Sequence, residues 1–141
     1  MRLPLLALAL GLLFSAEKCA NDTSADAMTS LGDGRWDLKT IAGKAIELPA
    51  GVEVPYLTLD TKARAVTGFG GCNTLRSELK LHEKDLSFGP VMSTKKYCEG
   101  IQPTENGFLD AMRKTTGYKL DGGMLTLLNA GTELATLEKH K

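Results

Sequence analysis

From Trp36 onward the chain falls into short stretches of alternating apolar and polar residues, broken by Gly, Pro, Asn and Asp at intervals of about eight to twelve positions. That rhythm confines the fold to an antiparallel sandwich or barrel, because period-two alternation gives each strand one apolar face and tight turns pair neighbours as hairpins. "RWDLKTI" alternates through Trp36 and Leu38, then slips at Ile41. "PYLTLD" sets Leu57 and Leu59 against Thr58, and "SELKLH" turns Leu79 and Leu81 inward with Glu78, Lys80 and His82 outward. "LSFGPV" continues through Leu86 and Phe88 until Gly89-Pro90 breaks the strand. Towards the end, turns at Asp121-Gly122-Gly123 and Asn129-Ala130-Gly131 divide "YKLDGGMLTLLNAGTELATLEK" into further strands carrying Leu134 and Leu137.

One segment has a different period. In "ENGFLDAMRKTTGY", Phe108, Leu109, Met112 and Thr116 recur at helical spacing, with Thr104 placed to cap the start, Glu105 in the first turn and Gly117 at the C-terminal cap. The expectation is a mainly β domain: an antiparallel barrel-like or two-sheet arrangement of about eight short strands, with one helix over about residues 104–116 packed across an end or edge.

Ahead of this domain stands "MRLPLLALALGLLFSAEKC", with one cation at Arg2 and an apolar run from Leu3 to Phe14. The run is shorter than the roughly 20 residues a bilayer span needs and has no polar face, which matches a secretory signal. Residues 1–18 are read as that signal, 19–33 as a polar tether and 34–141 as the domain. The protein is expected to be exported, to a periplasm, a membrane-anchored place on the envelope, or the medium. Cys19 is the candidate lipid acceptor, although Ala16, Glu17 and Lys18 make a poor lipidation context; Ala25 and Ala27 offer an ordinary cleavage site, and Asn21-Asp22-Thr23 spells a glycosylation triplet. The 17 basic and 17 acidic residues balance, and neither sign is concentrated. No nucleic-acid footprint results, and a membrane is reached only through an N-terminal lipid.

Three cysteines in an exported chain suggest one disulfide and one residue with another fate. Cys72 and Cys98 are the two inside the domain. Their bridge closes a loop of 26 residues and removes about 3.5 kcal/mol of denatured-state freedom in the chain-entropy model. Cys72 sits in "GFGGCNTL", whose glycines raise the question of a phosphate loop or a catalytic thiol. A Walker loop needs Gly-Lys-Ser or Gly-Lys-Thr entering a helix, and a dinucleotide loop needs a helix after its glycines; here "RSELKLH" is another strand. A cysteine nucleophile needs a histidine, and only His82 and His140 exist, one on a strand end and one beside the C-terminus. Zinc-ligand spacing is absent, and Glu78, Glu83, Asp85 and Glu105 read as surface and capping acids. The expectation is therefore no catalytic residues, no metal and no cofactor. The glycines are read as a tight corner, with Asn73 and Thr74 bonding the turn and Phe69 packed inward.

These residues resemble the META domain, the HslJ-like family of small exported bacterial proteins also found in trypanosomatid parasites. The likeness runs from about Gly34 to Leu137 through Gly34-Arg35-Trp36, Gly70-Gly71-Cys72-Asn73, Ser93-Thr94 followed by Cys98, and a helix-opening Glu105. It implies a barrel-like fold with one helix and a bridged cysteine pair, no established activity or ligand, and a link to heat shock, other stress and antibiotic tolerance. Trp36, Gly70, Gly71 and Glu105 are then structural members of the motif. The function expected is a monomeric, non-enzymatic envelope module that meets an unknown envelope protein or small ligand through a polar patch of Asn73, Thr74, Ser93, Thr94 and Lys95. Two rival readings are a carrier of a small apolar ligand inside a lipocalin-like barrel and an inhibitor of a secreted hydrolase.

Overall fold

The computed structural model describes residues 31–32 and 34–141. The apolar leader, Cys19 and the glycosylation triplet lie outside the described residues. Ten strands and one helix follow in order: β1 Arg35–Ile41, β2 Lys44–Ala45, β3 Tyr56–Asp60, β4 Ala65–Phe69, β5 Thr74–His82, β6 Asp85–Phe88, β7 Met92–Ser93, α1 Gln102–Lys114, β8 Gly117–Asp121, β9 Met124–Asn129 and β10 Thr132–Lys139. Eight of the strands run β6-β5-β4-β3-β1-β10-β9-β8, all antiparallel, while β2 adds to β1 and β7 adds to β5. The two end strands approach each other, and the Tyr118 hydroxyl donates to the Glu83 carbonyl at 3.4 Å, so the sheet is a nearly closed barrel.

Alternation in the sequence becomes the inside and outside of this barrel. Leu57 and Leu59 of β3, Val66 of β4, Leu75 and Leu79 of β5, and Leu125 and Leu127 of β9 are all buried. The slip in β1 is a bulge: its pairing with β10 shifts between Leu38 and Thr40, which ends the inward series at Leu38 and bends the strand into the β2 turn. Leu31 falls in the stretch read from sequence as tether, yet it is fully buried, and its carbonyl accepts the Trp36 indole N–H at 3.3 Å.

The helix begins two residues earlier than its sequence signals place it. Ile101 is the N-cap with no side-chain cap, and Pro103 lies in the first turn, where its missing N–H costs nothing. Thr104 is therefore inside the helix. The helix ends at Lys114 with Thr115 as the C-cap, Gly117 opens β8, and the buried threonine is Thr115 rather than Thr116. Packed on β1, β6, β9 and β10, α1 drives Phe108 and Met112 into the same core as the strand leucines.

Candidate functional site

Four residues, Gly70 to Asn73, connect β4 to β5, and the two glycines are there because side chains would collide. A Cβ on Gly70 would stand 2.5 Å from Glu105 Oε2. Gly71 has φ +111°, and a Cβ there would meet Ile101 at 2.6 Å. The backbone of the corner thus lies directly on the first turn of α1. Cys72 and Cys98 are disulfide-bonded, with Cα atoms 5.7 Å apart, which pulls the segment after β7 onto the same corner.

Glu105 sits at the centre and is only 2 % exposed. Its Oε2 accepts the backbone N–H groups of Cys72 at 3.0 Å and Asn73 at 2.7 Å, while Oε1 accepts Asn73 Nδ2 at 2.5 Å and the Gln102 amide at 3.4 Å. The reading of Glu105 as a surface or capping acid is thereby corrected. It lies in phase with Ile101, Phe108, Leu109 and Met112 on the buried side of the helix, and that phase was the available signal.

Asn73 is equally enclosed, at 3 % exposure. Its Nδ2 also donates to the Lys96 carbonyl at 2.9 Å, its Oδ1 accepts Thr94 Oγ1 at 2.8 Å and the Lys96 N–H at 2.7 Å, and its carbonyl accepts the Gly70 N–H at 2.8 Å. Every polar group of Asn73 is used internally, so it cannot serve in an exposed contact patch. Lys95 is exposed, beside a small hollow of about 300 Å³ over Glu105. Phe69 does not pack inward: it shares the outer face with Tyr56, the two rings 6.3 Å apart, because Gly68 takes the inward position of β4. Among the described residues, no group of three His, Cys, Asp or Glu side chains stands close enough to hold a metal ion.

Ser93 and Thr94 border that hollow together with Lys95, and with Thr74 they also reach a second surface. Thr74, Ser93 and Thr94 line a cleft of about 700 Å³ on the outer face of β3, β4, β5 and β7, together with Tyr56, Thr58, Thr67 and Arg76. Thr67, Arg76 and Met92 belong also to an adjoining trough of about 550 Å³ with Ala65, Val66 and Pro90, so the two make one elongated depression. Met92, 60 % exposed, stands opposite Arg76 in the β5–β7 pairing. Sequence reasoning missed Tyr56, Thr67, Arg76 and Met92, because outward polar residues of a strand read as solvated and β7 is only two residues long.

A charged cluster closes the Tyr56 end. The Arg35 guanidinium lies 3.7 Å from the centre of the Tyr56 ring and pairs with Asp37 at 2.6 Å and Glu53 at 2.9 Å. Asp37 takes a further contact from His140 at 2.6 Å. Burial alone would lower Arg35 and raise Asp37; hydrogen bonds and charge from these partners outweigh it, leaving Arg35 above and Asp37 below their ordinary values.

Several solved structures share the fold. An NMR structure of a protein from Burkholderia xenovorans is 24 % identical, with 100 % of this chain and 99 % of that one covered and a TM-score of 0.63. A second NMR structure is 20 % identical over 79 % of this chain and 93 % of its own, also with a TM-score of 0.63. A DUF4847 family protein from Bacteroides vulgatus ATCC 8482 is 16 % identical over 82 % and 97 %, with a TM-score of 0.57. At these identities the likeness is one of fold. No functionally curated protein matches the chain. The META domain profile matches residues 29–141, and it spans the barrel, the bridged corner and Glu105 alike: the chain belongs to the META domain family.

Proposed function

We propose that this protein is an exported, HslJ-like binding module of the cell envelope, which docks a partner on the outer face of its barrel under stress and performs no catalysis. The observation that carries this reading is the division of labour between corner and cleft. The corner satisfies its own polar groups through Asn73 and Glu105, whereas the cleft beside it offers Thr67, Thr74, Arg76 and Met92 to solvent. The acids that the fold gathers are already engaged, Glu105 by amide donors and Asp37 by Arg35 and His140. A carrier role inside the barrel has less support, since Leu38, Leu57, Leu125, Leu127, Phe108 and Met112 fill the interior.

The test fills the cleft. Thr67 is exposed at its middle, so Thr67→Arg blocks the depression and leaves the core untouched. In a deletion strain of the native host, the full chain is expected to be recovered outside the cytoplasm and to restore survival of heat stress. The Thr67→Arg variant is expected to be exported and to melt like the parent while failing to restore survival. Full restoration by this variant removes the binding role, and recovery of the parent in the cytoplasm removes export.

A further inference from the structure

The outer cleft has three chemically distinct parts. Thr74 brings a hydroxyl to the Tyr56 end, and Thr58 and Thr67 stand level with Arg76 across the sheet. Ala65, Pro90 and Met92 make the other end a largely apolar trough, with Glu78 on its wall. Arg76 lies between and borders both. On the same outer face Arg35 is neutralised by Asp37 and Glu53, and elsewhere Lys39 and Lys114 pair with Glu138 and Asp110. Among the described residues Arg76 has no ion-pair partner, and Glu78, the next outward residue of β5, makes no pair with it.

We propose that the cleft docks an extended polypeptide segment bearing an acidic side chain and, two residues away, an apolar one; this rests on the cleft's being the partner-binding surface. A guanidinium with unused donors selects a carboxylate, which it holds through two parallel hydrogen bonds. In an extended chain, side chains two residues apart share a face and stand about 7 Å apart, so an acid on Arg76 places its neighbour in the trough against Pro90 and Met92. The main-chain amides alongside supply what the hydroxyls require, partners for Thr58 and Thr74. A fatty acid would use Arg76 and the trough and leave the hydroxyls unmatched. Inorganic phosphate would use Arg76 alone.

The experiment titrates the oxidised protein into a pooled library of fluorescein-labelled hexapeptides with Glu fixed at the third position, Leu at the fifth, and the rest randomised. Matched pools carry Gln or Lys in place of Glu, and decanoate and inorganic phosphate serve as competitors. The Glu pool is expected to bind at least tenfold more tightly than the Gln pool by fluorescence anisotropy. Arg76→Glu is expected to transfer the preference to the Lys pool, while Lys80→Glu, exposed on the same strand outside the cleft, keeps the parent's order. Equal binding of the Glu and Gln pools, or an unchanged preference in Arg76→Glu, overturns the proposal. Binding of decanoate without any peptide pool also overturns it and hands the cleft to an acyl carboxylate, leaving the binding role intact. That role falls only if Thr67→Arg still restores survival.

Discussion

Glu105 is a buried carboxylate with amide donors where a cation would be expected: two backbone N–H groups and the Asn73 side chain. An acceptor with two oxygens matches these donors; a glutamine cannot, because its own NH₂ would face either the backbone amides or Asn73 Nδ2. Glu105→Gln is expected to cost about 1–3 kcal/mol, the usual penalty for a buried donor left without an acceptor. Urea unfolding of the oxidised protein measures it, and an unchanged midpoint would mean that the corner does not depend on the second oxygen. How this residue was hidden in the sequence has a physical reason. An acid in the first turn of a helix ordinarily faces the helix N-terminus and water, and nothing local announces that the donors it serves lie 33 residues earlier, at Cys72. The pairing of Cys72 with Cys98, by contrast, was legible from the number and placement of the thiols.

At the scale of elements, the disulfide joins the β4–β5 corner to the segment that follows β7. That segment supplies Lys96 to Asn73 and Thr94 to the cleft wall, so the bridge holds one side of the cleft in place. Replacing both cysteines by serine is expected to lower stability by about 3.5 kcal/mol at most, the denatured-state freedom restored by opening the loop. Denaturant titration of the double variant checks the size. Thiol labelling of the parent should modify Cys72 and Cys98 only after reduction, and labelling without reductant would contradict the bridge. Strands such as β5 were plain in the sequence because alternation is a local property, one residue in and one out. The helix start was misplaced because Pro103 reads as a boundary, although the second helical position tolerates it. The cleft was invisible for a different reason: it exists only where the outward residues of four strands meet.

For the molecule as a whole, acid should loosen the barrel at β1 first. Asp37 is held below its ordinary value of 3.8 in the folded chain, so folding favours its ionised form. Its contribution is complete above that ordinary value and is lost as pH falls through the lower folded-state value. Urea midpoints are expected to drop as pH is taken below about 4, and to drop less in Asp37→Asn, which has no proton to gain. An identical acid limb in the variant would show that Asp37 does not report on folding. The exposed Lys39–Glu138 pair should matter little by comparison and fade with salt.

The strand order carries one more consequence. β10 runs between β1 and β9, so the last strand of the sheet in chain order is an interior one, flanked on one side by the first. Until residues 132–139 are available, β1 is paired with β3 on one side but open on the other, the bulge at Leu38–Thr40 has nothing to register against, and Ala135 and Leu137 are missing from the core. A nascent chain therefore cannot close this barrel early. Its folding waits on a contact spanning almost the whole domain, which makes closure slow and leaves the chain open for as long as its final strand is out of reach.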